Sequence, residues 1–276
     1  MIIDTHAHTN FKAFENDREE IIKECLNNQT FMVNIGTNII TSIKAIELAQ
    51  KYENVWATVG LHPIHLATNL QEDEDEDGTD EKDFDYQKYK ELAQNRKVVA
   101  IGEMGLDYYY IPQNEQEKTQ AQASQTKLLL QELELAKELK KACILHCRMA
   151  YNELLDLLRA NTQLAPERAV LHCFMANLDQ LKQFLDLGFF IGYNGIIFKQ
   201  IPGINFEELI KATPNERIVL ETDCPYLIHP SKKGQRNTPM GVLDVLNEIA
   251  RIKQKDPEEL VQIYNNNAKR LFGIEF

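Results

Sequence analysis

Five of the seven histidines stand at or just past the end of an apolar run. His6 and His8 lie in Asp4-Thr5-His6-Ala7-His8, His62 in Gly60-Leu61-His62-Pro63, His146 in Leu145-His146-Cys147-Arg148, and His172 in Leu171-His172-Cys173-Phe174. Residues two apart on an extended chain point the same way, so His6 and His8 can reach one ion. Two carboxylates take comparable places: Glu103, between Gly102 and Gly105, and Asp223, in Glu221-Thr222-Asp223-Cys224-Pro225. A carboxylate at the end of a buried run needs a partner charge or a metal. Taken singly, each of these residues reads as a satisfied polar side chain. Together, four histidines (His6, His8, His146, His172) and two carboxylates suit two divalent cations, zinc, magnesium or manganese, with a carboxylate between them and positions left for water. Cys147 and Cys173 each follow a histidine and raise a thiol-containing site as a competitor. Strand alternation turns neighbours to opposite sides and counts against it.

The elements that would position these residues are eight short runs rich in aliphatic and β-branched residues: Ile2 to His6, Phe31 to Gly36, Val55 to Gly60, Val98 to Glu103, Ala142 to His146, Ala169 to His172, Phe189 to Tyr193 and Ile218 to Asp223. They are too apolar to alternate, as befits parallel strands buried on both faces. Helical patterns follow at Asp17 to Asn27, Ser42 to Tyr52, Glu115 to Lys141, Asn177 to Leu187 and Gly241 to Lys253. In the third of these, Leu129, Leu133, Ala136 and Lys140 keep helical spacing, while Glu132, Glu134 and Lys137 are assigned to the wet side. Eight repeats with no glycine-rich phosphate loop after the first strand favour an α/β (β/α)₈ TIM-type barrel over an open doubly wound sheet. A single barrel spanning residues 1–276 is expected, with the ligand-type residues at the C-terminal ends of its strands.

The formal net charge is −12, and residues 71–85 contribute ten acids against one lysine, or −9, leaving −3 for the rest. That composition excludes a protein that coats nucleic acid with a basic surface. The acidic stretch reads as a solvated loop insert between the third strand and its helix, at the mouth of the barrel; a flap is the alternative. The five cysteines form no CxxC pair and read as free buried thiols. No run is long and apolar enough for a membrane span, and the first residues lack a signal-peptide pattern, so the cytoplasm is the expected compartment, with nuclear entry left open.

The ordered segments DTHAH (Asp4 to His8), GLHP (Gly60 to Pro63), GEMGLDYYY (Gly102 to Tyr110), HCR (His146 to Arg148), LHCF (Leu171 to Phe174), ETDCPYL (Glu221 to Leu227) and RNTP (Arg236 to Pro239) resemble the TatD family of metal-dependent deoxyribonucleases. The resemblance spans nearly the whole chain and departs from the pattern chiefly at the acidic insert. It implies that His6, His8 and Asp223 hold one metal, that His146 and His172 hold a second, and that Glu103 bridges the two. It also implies DNA as substrate, single-stranded or at 3′ ends, cut in the 3′ to 5′ direction. The expected chemistry is attack of a metal-activated hydroxide on phosphorus, with Asp223 orienting or deprotonating the water. His62 would protonate the leaving oxygen or hold a phosphate. Arg148 would grip a phosphate with paired donors, unless an ion pair with Glu103 or Asp107 holds it. Glu221 is read as fixing a ligand histidine, Tyr108 to Tyr110 as base-stacking or packing residues, and Arg236 and Asn237 as meeting substrate or tying the last loop. An amidohydrolase acting on C–N or ester bonds with the same metals is the second reading, and a non-catalytic metal-binding scaffold the third.

Overall fold

A computed structural model describes residues 1–67 and 81–276. Eight strands form one parallel sheet in sequential order: β1 (Ile2–Ala7), β2 (Thr30–Asn34), β3 (Val55–Val59), β4 (Val98–Asp107), β5 (Ala142–Arg148), β6 (Ala169–Leu171), β7 (Phe190–Tyr193) and β8 (Ile218–Leu220). The crossovers are α1 (Arg18–Asn27), α2 (Ile39–Lys51), α3 (Tyr86–Ala93), α4 (Glu115–Leu139), α5 (Tyr151–Ala160), α6 (Leu178–Asp186) and α7 (Phe206–Ala212), and α8 (Val242–Lys253) and α9 (Pro257–Phe272) follow β8. Polar residues start several of them. Asn38 and Asn177 form capping boxes at α2 and α6, and Asn114 accepts two backbone N–H bonds at α4, each satisfying donors that a helix leaves unpaired at its first turn. No helix among the described residues is long and apolar enough to cross a membrane.

The apolar side chains divide into two cores. The larger lies between sheet and helices, and includes Val59, Ile101, Leu145 and Leu171 facing Leu129, Leu133 and Phe184. The smaller takes residues from every strand: Ile3, Val33, Trp56, Val99, Ile144, Val170, Phe190 and Val219. Only the inside of a barrel brings one such set together, and Ala268, Leu271 and Phe272 of α9 join it near the strand starts. On β5, Ile144 in this inner core has the same parity as His146, and beyond β6 Val170 has the parity of His172. The strands therefore carry an apolar plug at one end and polar groups at the other.

The barrel closes between β1 and the segment after β8. Ala7 bridges Cys224, the Asp223 N–H donates to the His6 carbonyl at 2.9 Å, and the His8 N–H donates to the Cys224 carbonyl at 2.9 Å. Asp4, fully buried, reinforces that seam. Its Oδ1 accepts from the backbone N–H of His6 (3.1 Å) and of Thr222 (2.9 Å), and its Oδ2 meets the Thr222 hydroxyl at 2.5 Å. Burial pushes its carboxyl well above the usual carboxylate range.

Two local expectations need correction. Glu132 lies on the buried side of α4 and not on the wet side, fully enclosed between helix and sheet. Glu81 is not a solvated member of the acidic run: its carboxylate accepts from the Ile39 N–H at the start of α2 (2.8 Å) and from the Tyr89 hydroxyl (3.2 Å). Asp85 caps α3 through the Lys88 N–H. The remainder of the run, to Asp80, lies outside the described residues.

Replacing Asp4 by Ala leaves two buried N–H groups and a hydroxyl without their acceptor, so the metal-free protein is expected to lose about 3 kcal/mol or more of stability. Urea titration in chelator measures this, and a loss below about 1 kcal/mol would show that the seam holds without Asp4.

Candidate metal centre

Six side chains, carried by β4 and by the ends of β1, β5, β6 and β8, gather around one of their own number, the carboxylate of Glu103. Glu103, on β4, is nearly enclosed and divides its two oxygens between two groups of histidines. Oε2 lies 3.2 Å from His6 Nε2. Oε1 lies 2.9 Å from His146 Nδ1, 3.1 Å from His172 Nε2 and 3.2 Å from His62 Nε2. On the first side, His6 Nε2 and His8 Nε2 stand 3.2 Å apart, and Asp223 Oδ1 is 3.3 Å from His8 Nε2 and 3.7 Å from His6 Nε2. All six residues that the sequence singles out as ligands thus meet in one place, with His62 beside them.

Close packing of the backbone makes this convergence feasible. Gly105 has φ +148°, and a Cβ there would lie 1.9 Å from the His146 carbonyl oxygen, so only glycine lets β4 approach β5 this closely. At Gly192 a Cβ would lie 2.3 Å from Glu221 Oε2, in the space the carboxylate fills.

Each ring on the Oε1 side is held by a second partner. His172 Nδ1 meets Glu221 Oε1 at 3.1 Å, and the same oxygen accepts from the Cys173 N–H and the Asn194 amide. His146 Nε2 meets Asp107 Oδ2 at 3.1 Å. His62 Nδ1 accepts from the Ile64 N–H, so in a neutral ring the proton resides on Nε2, facing Glu103. Such partners fix ring orientation and tautomer. Asp107, unremarked in the sequence except as a partner for Arg148, belongs to this set.

The charges balance locally. Burial opposes ionisation of Glu103, but His172, His62, His6 and His146 around it prevail and hold its carboxyl well below the usual range. Asp223 is likewise lowered, burial being outweighed by His8, His172 and His6. Burial works against a charged His146, yet its hydrogen bonds to Asp107 and Glu103 lift it to about 9. His172 is raised well above its ordinary value against the same desolvation, through Glu103 and Glu221. Burial lowers His6 and His62.

The donor set fits a metal. A tetrahedral ion with ligands at about 2.0–2.2 Å separates its ligand atoms by roughly 3.3–3.6 Å. The contacts among His6, His8, Asp223 and Glu103 Oε2 run from 3.2 to 3.7 Å. Among the described residues the buried Nδ1 atoms of His6 and His8 have no hydrogen-bond partner, while their Nε2 atoms face each other and the acids. The thiol competitor divides in two. Cys147 sits on β5 with its side chain in the outer core, opposite His146. Cys173 lies past the end of β6 with φ 47°, where alternation no longer applies, and groups with His172 and Asp223. Burial raises that thiol to about 12, leaving it a poor ligand at neutral pH unless an ion displaces its proton. All five cysteines are free.

Other sequence candidates find partners different from those expected or tie the last loop. Arg148 forms neither of the ion pairs entertained for it, because Glu103 and Asp107 face His146, and its guanidinium lies over Tyr109. Arg236 bonds to the Ala13 carbonyl and Asp17 and lies over Phe14, and Asn237 donates to the Tyr226 carbonyl, so both tie the last loop. Two helix residues support the site, Gln125, which passes unnoticed in the sequence, and Glu132, which the sequence assigns to the wet side. Gln125 of α4 accepts from the Asp107 N–H and donates to the carbonyls of Asp107 and Pro63. Seven residues on, Glu132 accepts from the Leu61 N–H at 2.9 Å. One stripe of α4 thereby fixes the backbone on either side of His62 and at Asp107. The sequence signal is two polar residues at helical spacing within an apolar stripe that includes Leu128, Leu129 and Leu133.

A parallel eight-stranded barrel with two histidine clusters sharing a carboxylate at the C-terminal ends of its strands defines a metal-dependent hydrolase. The sequence model of the TatD-related DNase family matches residues 3–273, and the chain belongs to that family. It is 32% identical over 276 residues to the metal-dependent hydrolase YabD of Bacillus subtilis, covering 99% of this chain and 100% of the relative. It is also 32% identical over 283 residues to the 3′-5′ ssDNA/RNA exonuclease TatD of Citrobacter koseri, covering 100% of each. Among solved structures, the TatD homologue YJJV of Escherichia coli superposes with a TM-score of 0.83 at 27% identity, covering 99% of this chain and 98% of that one.

The buried acid of α4 gives a pH test. Burial raises Glu132 well above its ordinary value of 4.5, so the folded protein keeps it neutral while the unfolded chain ionises. The resulting penalty is absent below about pH 4.5 and grows by up to about 1.4 kcal/mol per pH unit above it, until the folded group itself ionises. Glu132→Gln keeps an acceptor for Leu61 and removes the ionisation. Its stability relative to wild type is expected to rise between pH 5 and pH 7.5, measured by urea titration at both; parallel profiles would rule out a neutral Glu132.

Proposed function

We propose that this chain is a nuclease that removes nucleotides from the 3′ end of single-stranded DNA, using two divalent cations drawn from zinc, magnesium or manganese. The observation that carries this reading is the division of Glu103 between two ligand clusters, His6, His8 and Asp223 on one side and His146 and His172 on the other. The direction and the substrate class rest on the full-length relative named as a 3′-5′ ssDNA/RNA exonuclease. When bound, such ions polarise the phosphodiester and lower the pKa of an attacking water.

The protein's own groups then have distinct tasks. The Asp223 side chain is 18% exposed against 5% for Glu103, so Asp223 is the carboxylate that can receive the proton of an incoming water. His62, with Nδ1 engaged by the Ile64 N–H, presents an Nε2 proton toward the cluster and suits protonation of the leaving oxygen. Arg148 lies two residues beyond His146 on β5, and its donors, unclaimed by Glu103 or Asp107, suit a substrate phosphate. Glu221 and Asp107 hold the rings of His172 and His146 in place throughout.

The test is cleavage of 5′-labelled single-stranded DNA by the metal-reconstituted protein beside Glu103→Ala, with metals counted in both. Stepwise shortening is expected for wild type, with the variant slowed by at least about 10²-fold and depleted of metal. Intact DNA and RNA in the presence of two bound metals per chain would overturn the reading. A second measurement isolates Glu221: its replacement by Ala should weaken metal affinity by about 10- to 100-fold, and unchanged binding would remove it from the ligand-orienting set.

A further inference from the structure

Beside the metal centre, at the ends of β4 and β5, lies an aromatic surface that neither the core nor the proposed chemistry uses. Tyr109 is 52% exposed and Tyr110 39% exposed. Their rings meet edge to face, with centroids 4.7 Å apart at 88°. The Arg148 guanidinium carbon sits 3.7 Å from the Tyr109 centroid and 5.2 Å from that of Tyr110. Among the described residues Arg148 has no ion-pair partner, so its cation is given to these rings rather than to an acid. An exposed aromatic pair braced by a cation is a preformed π surface with area still open to solvent.

This surface is tied to the metal centre by short links. The Tyr109 N–H donates to Asp107 Oδ1 at 2.9 Å, and the other oxygen of Asp107 meets His146 Nε2 at 3.1 Å. The Tyr108 N–H donates to the Arg148 carbonyl at 2.9 Å. Arg148 and His146, two apart on β5, have the same parity and project to one side of the strand. A group resting on Tyr109 therefore lies beside the ligand cluster and not on a remote face.

We propose that Tyr109 and Tyr110, braced by Arg148, form a stacking shelf for one unpaired nucleobase of the strand whose scissile phosphate is at the metal centre. The inference rests on the nuclease reading and adds to it the means by which a single strand is chosen. A base in a duplex has both faces covered by its neighbours, whereas a base in a flexible strand can place a face on an aromatic ring at little cost, whatever its identity. The shelf thus selects for unpaired ends without reading sequence.

The test is a fluorescence-anisotropy titration with metal-reconstituted protein and a single-stranded deoxyoligonucleotide carrying phosphorothioate linkages at its 3′ end. One base at a time is replaced by an abasic site. Wild type is expected to lose about tenfold in affinity at one position near the 3′ end and little elsewhere. Tyr109→Ala is expected to bind the intact oligonucleotide about tenfold more weakly and to be indifferent to the abasic site at that position, with Tyr109→Trp restoring both properties. Tyr109→Ala that binds normally and keeps the wild-type abasic profile would overturn the shelf while leaving the nuclease reading standing. Wild type that holds its metals but binds no single-stranded DNA would overturn both.

Discussion

Everything at the mouth of this barrel depends on one buried carboxylate. An isolated charge in the position of Glu103 would be expelled from the fold or neutralised, because desolvation opposes its ionisation. It is instead held ionised by histidines from four other places in the chain, at the ends of β1, β5 and β6 and after β3. No segment supplies more than two of these rings, so the site cannot form before the barrel closes. The closure itself is polar: Asp4 and the backbone exchange between residues 6–8 and 222–224 join the first strand to the last. Folding and site assembly are thus one event.

The rings that surround Glu103 are not held alike. His172 and His146 lean on carboxylates, Glu221 and Asp107, which together with Glu103 raise their affinity for protons and make each a stronger electron donor. His62 faces Glu103 through Nε2 but has only the Ile64 N–H behind it at Nδ1, and burial lowers its affinity for a proton. That difference sets His172 and His146 apart from His62 among the rings around Glu103 Oε1. Gln125 and Glu132 of α4 fix the backbone near His62: a loop residue whose Nδ1 has no carboxylate behind it takes its precision from the chain that carries it.

Most of this frame was legible in the residues. Periodic apolar runs located all eight strands within a few residues, and the habit of placing histidine or acid just past a run pointed to His6, His8, His62, Glu103, His146, His172 and Asp223. What the pattern could not carry was pairing. Glu132 sits among Glu134 and Lys137 and shares their composition, and only the packing of α4 against the sheet shows that it is enclosed. Asp107 and Arg148 have opposite charges in adjacent strands, which suggests an ion pair, yet His146 claims the acid and Tyr109 the base. Alternation likewise separated Cys147 from His146, but it failed at Cys173 because β6 ends two residues earlier and the backbone turns. Strand and helix follow from local periodicity, whereas partnerships follow from distances between segments.

The charge of the chain bears on how a polyanion would be held. At −12 overall, the protein has no general field to draw in a nucleic acid, and counterion release from a row of lysines cannot supply the affinity. Binding must then be local, through ions that neutralise one phosphate and through contacts that are not electrostatic. Stacking meets that need, since it requires an open aromatic face and no net charge on the protein. An acidic protein with bound cations at the bottom of a barrel mouth and π surface at its rim would grip a strand end and ignore the long phosphate backbone behind it. On the proposed reading, that is an economical way to distinguish an end from an interior without a groove that tracks the strand.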